Sequence, residues 1–87
     1  MKNRLVIHGV YRHFKGKEYI VEGLAEHSET GEMLVVYRAL YGENKLYVRP
    51  LEMFLSFVDK EKYPDVTQEM RFEVSLGINW EAINAHC

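Results

Sequence analysis

Two glycine-centred turn signals, each set between runs that alternate apolar and polar residues, constrain this chain more than anything else in it. Lys15-Gly16-Lys17 separates Tyr11–Phe14 from Tyr19–His27, and Glu29-Thr30-Gly31 separates that second run from one ending in Tyr37-Arg38-Ala39-Leu40-Tyr41-Gly42. Period-two alternation broken by a short Gly-containing turn is a hairpin signature, because alternate side chains of a strand face opposite sides of a sheet. Two hairpins sharing one strand predict a small antiparallel β domain with Arg and His set among Tyr and Phe.

The second turn predicts a register. Glu29-Thr30-Gly31 suits a three-residue loop whose last position needs the left-handed backbone that glycine adopts without steric cost. Ser28 then faces Glu32 and caps the loop with its hydroxyl, while Ala25 pairs with Val35, Gly23 with Tyr37, Val21 with Ala39 and Tyr19 with Tyr41 on the inner face. On the other face Glu22 meets Arg38, Leu24 meets Val36 and Ile20 meets Leu40. A two-residue loop would instead bury Arg38 against Gly23 without a partner, which is costly.

Further along, Gly42–Lys45 reads as a turn and Leu46–Arg49 as a short strand that stops at Pro50, which has no amide proton to give a ladder. Leu51–Leu55 reads as one helical or 3₁₀ turn dropping Leu51 and Phe54 or Leu55 into the mouth of the sheet, with Phe57 and Val58 nearby. Asp59–Gln68 is a charged connection, and Met70–Val74 a closing strand with Met70, Phe72 and Val74 inward. The expected fold is all-β: one domain over residues 1–75, a small, strongly bent antiparallel sheet of the SH3-like barrel type. Residues 76–87 are a C-terminal extension in which Asn79–Ala85 forms a short helix that packs on the outer face or on a neighbouring copy.

A chain of 87 residues supports one thin core, burying about two-thirds of the surface its unfolded form exposes. With 47% hydrophobic and 28% charged residues it reads as globular, without an apolar run long enough to cross a bilayer. The stretch Met1–Gly9 is too short in its apolar part for a secretory signal, and the single Cys87 allows neither an intrachain disulfide nor a cysteine zinc cage, so a cytoplasmic protein is expected. The net charge of −2 divides into +2 over residues 1–50 and −4 over residues 51–87. That balance argues against duplex DNA, whose binding grows with the number of phosphates neutralised.

Arg12, His13, His27, Arg38 and Arg49 are the candidate ligand-binding residues, converging with Ser28 at one end of the sheet, with Tyr47 beside Tyr11 and Tyr37 as stacking surfaces. Against this stands a purely structural reading, in which Arg38 pairs with Glu22, Arg49 with Glu52, and the tyrosines fill the core. The histidines with Glu26 or Glu29 match no zinc spacing, and Ser28 beside His27 points to the opposite strand face, so neither a metal nor a catalytic residue is assigned. The scattered glycines form no phosphate loop. The expectation is a binding module without a cofactor, for an anionic small molecule, a peptide or single-stranded RNA. One alternative is a homo-oligomeric subunit burying Ile20, Leu24, Val36 and Leu40 in a symmetric interface; another is a small enzyme with a His/Arg pocket around His13 and His27.

The runs Gly9–Gly16, Ala25–Thr30, Val35–Gly42 and Leu46–Phe54 together resemble a bacterial family of small proteins catalogued as domain of unknown function number sixteen fifty-three. The resemblance spans residues 9–74 in order. It implies a compact cytoplasmic protein, sometimes fused to enzymatic domains, with no established activity or cofactor. Tyr47 stands where the family often has Trp, and the loop from Asp59 to Asp65 lacks the family's frequent Pro-Arg-Phe ending, with Arg71-Phe72 as the nearest counterpart.

Overall fold

The structure is a computed structural model that describes residues 5–75. The elements run β1 (Val10–His13), β2 (Glu18–Glu26), β3 (Met33–Ala39), β4 (Leu46–Pro50), α1 (Leu51–Phe54) and β5 (Phe72–Val74). All strand pairings are antiparallel, and the sheet order is β4-β3-β2-β1-β5. Among the described residues the sheet is not closed, and β4 and β5 are its two edges. It is nevertheless bent so far that the Arg49 guanidinium of β4 lies 5.7 Å from the Phe72 ring of β5 across the concave side. The helix expected over Asn79–Ala85 lies outside the described residues.

The three-residue loop occurs, but in the first hairpin. The His13 amide donates to the Lys17 carbonyl at 2.8 Å, closing Phe14-Lys15-Gly16 with Gly16 at φ +106°. The second hairpin closes one step earlier than the sequence predicts. The His27 amide donates to the Glu32 carbonyl at 2.8 Å and the Gly31 amide to the His27 carbonyl at 2.9 Å, giving a four-residue loop with Gly31 at φ +77°. The imidazole decides this. His27 Nδ1 accepts the Glu29 and Thr30 amides at 3.1 and 3.4 Å, the capping work expected of Ser28.

The register of β2 on β3 is therefore corrected. Ala25 lies opposite Leu34, Leu24 opposite Val35 and Gly23 opposite Val36; a bulge between Val21 and Gly23 then sets Val21 opposite Tyr37, Ile20 opposite Arg38 and Tyr19 opposite Ala39. The loop shifts the pairing by one residue, and Glu22, the extra residue of the bulge, shifts it by another. Two single shifts restore the facing of side chains. Val21, Val35, Tyr37 and Ala39 accordingly stay buried, and Arg38 stays outside. Between bulge and loop only one shift has acted. Leu24, not Ala25, shares the face of Val35, and it remains 46% exposed.

Phe54, Val21 and Val35 are fully buried, joined by Tyr11, Tyr37 and Phe72. Pro50 ends β4 and starts α1, whose single turn carries Phe54 onto Phe72, the rings stacked at 4.1 Å with planes 5° apart. Burying a side chain of this size stabilises by roughly 2–3 kcal/mol. Tyr11 keeps its polar end satisfied by accepting the Val6 amide at 2.9 Å, and burial raises its pKa. After α1, Phe57 points to solvent at 63% exposure while Val58 is buried. The last strand is shorter than predicted: Met70 makes an isolated bridge to Phe57, and Val74 is exposed at the strand's end.

Candidate functional site

The six residues singled out in the sequence do not converge. Arg12 and Arg38 lie on the convex face. Arg12 sits 3.8 Å from Glu18, and Arg38 donates to Glu22 at 3.1 Å and to the Asn44 carbonyl at 2.9 Å, tying the bulge to the β3–β4 turn. His27 is occupied in its own loop. The concave face instead collects His13, Tyr47 and Arg49. The pairings His13–Phe72, Tyr11–Tyr19, Tyr37–Tyr47 and Val35–Arg49 place all these side chains on that one side.

Arg49 is held at the centre of this face. Its Nε donates to the Tyr37 hydroxyl at 3.2 Å, and its guanidinium lies over Phe72. No carboxylate pairs with it among the described residues, so the expected Arg49–Glu52 ion pair is not formed there. From Tyr37 a run of rings leads outward: Tyr47 at 5.8 Å, Tyr19 at 5.3 Å, and from Tyr19 to Tyr41 at 5.5 Å, mostly edge to face. Such contacts let an electron-rich ring face meet an electron-poor edge. The Tyr19 and Tyr41 hydroxyls share a hydrogen bond of 2.8 Å, and Lys17 Nζ lies 4.9 Å from the Tyr41 ring centre. The run ends at an open recess of about 230 Å³ lined by Ala39, Tyr41, Glu43, Lys45 and Tyr47.

Charge at the opposite end of the face is positive. Burial and, after it, the nearby charges of Arg49, Arg71 and Lys15 push the His13 pKa down to about 4. His13 is thus neutral at pH 7. Its Nδ1 accepts the Lys15 amide at 3.1 Å, which leaves the proton on Nε2 as a donor. Burial and the hydrogen bond with Tyr41 push the Tyr19 pKa up, so its hydroxyl stays protonated. Among the described residues no three His, Cys, Asp or Glu side chains gather as metal ligands. What the face offers is two exposed ring surfaces, Tyr41 and Tyr47, with Lys17, Arg49 and the Lys45–Glu43 pair around them.

Tyr19, Tyr41 and Lys17 were not marked by sequence reasoning. Their signal was present in the expected Tyr19–Tyr41 pairing across the hairpin, read there as core filling. In the structure Ala39 takes the place opposite Tyr19, and Tyr41 reaches back to it with an edge-to-face ring contact and a shared hydroxyl hydrogen bond.

The family model described as "Protein of unknown function (DUF1653)" matches residues 9–74. A crystal structure of a protein belonging to DUF1653 from Bordetella bronchiseptica is similar at 34% identity, covering 82% of this chain and 88% of that one, with a TM-score of 0.66. No curated protein matches.

Proposed function

The chain belongs to the DUF1653 family, whose description carries no activity, and from the geometry of its concave face we propose that it is a binding module for a flat, anionic ligand: a nucleotide, free or within single-stranded RNA. The observation that carries this reading is Arg49. It is oriented by the Tyr37 hydroxyl, lacks a carboxylate partner among the described residues, and lies one ring away from the exposed Tyr47. A base stacks on Tyr41 or Tyr47, and its phosphate meets Arg49 or Lys17. Stacking of a base on an aromatic side chain contributes about 1–3 kcal/mol and tolerates any base. We further place the bent sheet with SH3-like small barrels, and the protein in the bacterial cytoplasm as a non-enzymatic module. No helix among the described residues is long and apolar enough to cross a membrane.

A thermal-shift series tests this reading with nucleoside monophosphates, short RNA and inorganic phosphate. At about one hundred times its dissociation constant a ligand stabilises by about 2.7 kcal/mol. The nucleotide and RNA are expected to raise Tm, phosphate alone much less, and Arg49→Ala with Tyr47→Ala to remove the shift while Arg38→Ala retains it. A shift that survives the Arg49/Tyr47 double substitution refutes the site, as does one produced only by a peptide.

A further inference from the structure

β4 is an edge strand whose first three residues, Leu46 to Val48, lack the usual protection among the described residues. Natural edges are blunted by charge, by bulges, by short length or by cover from another segment. In β4 the side chains on the convex face before Pro50 are Leu46 and Val48, 51% and 59% exposed, and Tyr47 on the concave face is exposed too. The backbone is equally open. The Ala39 amide donates to the Lys45 carbonyl at 2.9 Å, and bonded pairs alternate along an antiparallel ladder, so Tyr47 and Arg49 direct their backbone groups at β3. Leu46 and Val48 therefore direct an N–H and a C=O each away from the sheet.

These four groups complement themselves. We infer that β4 is the contact of a symmetric dimer, in which the β4 strands of two copies run antiparallel about Tyr47 and join two five-stranded sheets into one. In that register Leu46 of each copy lies opposite the partner's Val48, all four open backbone groups bond, and the exposed Leu46 and Val48 side chains cover one another across the axis. A register centred on Val48 is poorer, because it sets Leu46 opposite Pro50, which has no N–H to give. In this register Arg49 lies opposite the partner's Lys45, and the two cations are kept apart because Arg49 turns its head to Phe72 within its own copy while Lys45, just before the strand, has Glu43 at 3.9 Å. A second copy is preferred to an unrelated strand because this short segment supplies both halves of its own match.

Light scattering and sedimentation of the full chain test it. The 10.3 kDa protein is expected at twice that mass, and Val48→Lys is expected to halve the mass while leaving the far-ultraviolet circular dichroism unchanged. Val48→Pro, which removes an N–H that β3 does not use, is expected to do the same. Tyr47→Cys in a Cys87→Ser background is expected to cross-link two copies on oxidation. A wild-type chain that stays monomeric at the highest concentration it tolerates overturns the dimer, as does a dimer that persists in Val48→Lys. Cross-linking through Val48→Cys but not Tyr47→Cys overturns the register.

Discussion

The two edges of this one sheet are finished in opposite ways. β5 has only three residues, and the segment leading into it is pinned by hydrogen bonds. Gln68 Nε2 donates to the carbonyls of Arg12 and Met70 at 3.0 and 2.9 Å, while the Glu73 carboxylate accepts the Glu69 and Met70 amides at 3.1 and 3.2 Å. Backbone bonds from Val58 to Glu69 and from Arg71 to Ser56, both 2.8 Å, tie that segment to the residues after α1. β4 has five residues, no covering segment among the described residues, and three exposed hydrophobic side chains in a row. A short edge whose approach is pinned by its own chain becomes part of the core's frame. An edge left open stays available to something else, and here it adjoins the Tyr47 recess.

The contrast breaks first at the buried end. Phe72→Ala removes the ring stacked on Phe54 and is expected to destabilise by about 3–5 kcal/mol in urea unfolding, the ordinary cost of deleting a core aromatic. Val48→Ala on the other edge is expected to change monomer stability by no more than about 0.5 kcal/mol. Similar sensitivity at the two positions would erase the distinction drawn between the edges. Glu73→Ala sharpens it with a smaller effect. Losing the carboxylate that caps two amides is expected to cost about 1 kcal/mol, and hydrogen exchange at Glu69 and Met70 should quicken while β4 amides keep their rates.

The smallest effect concerns pH. The unfolded chain protonates His13 near 6.5, whereas the folded one does so near 4, so within that window the unfolded state holds more protons. The contribution of neutral His13 is complete above about pH 6.5 and declines as pH falls toward 4. Tm measured across that range should fall less steeply in His13→Asn, whose side-chain oxygen can still accept the Lys15 amide. Identical slopes would mean that His13 is not held neutral by burial and the nearby charges of Arg49, Arg71 and Lys15.

Much of the fold was legible because turn chemistry is local. Gly16 and Gly31 both take the positive φ that their turns require, and Pro50 ends a strand and opens a helical turn as its missing amide proton dictates. Phe54 was among the residues expected to fill the mouth of the sheet, and it does. The pairing of β2 with β3 was not legible. The imidazole cap at His27 and the bulge at Glu22 each displace it by one residue, and alternation alone records whether a shift is even or odd, not its size. The candidate site was half legible for a related reason. His13, Tyr47 and Arg49 meet because the sheet bends β4 toward β5, whereas Arg12 and Arg38 fall on the far side.

From the sequence alone came the local commitments: where the chain turns, which residues alternate, and that an antiparallel β domain of this family results. Those follow from backbone sterics and from the two-residue period of a strand. Only the tertiary structure decided which edge is pinned by the chain beside it, how far the sheet curls, and that Arg49 faces tyrosine and phenylalanine rings in place of Glu52. Such choices depend on contacts between residues far apart in the chain, whose positions are set by the sum of small register shifts that no single segment encodes.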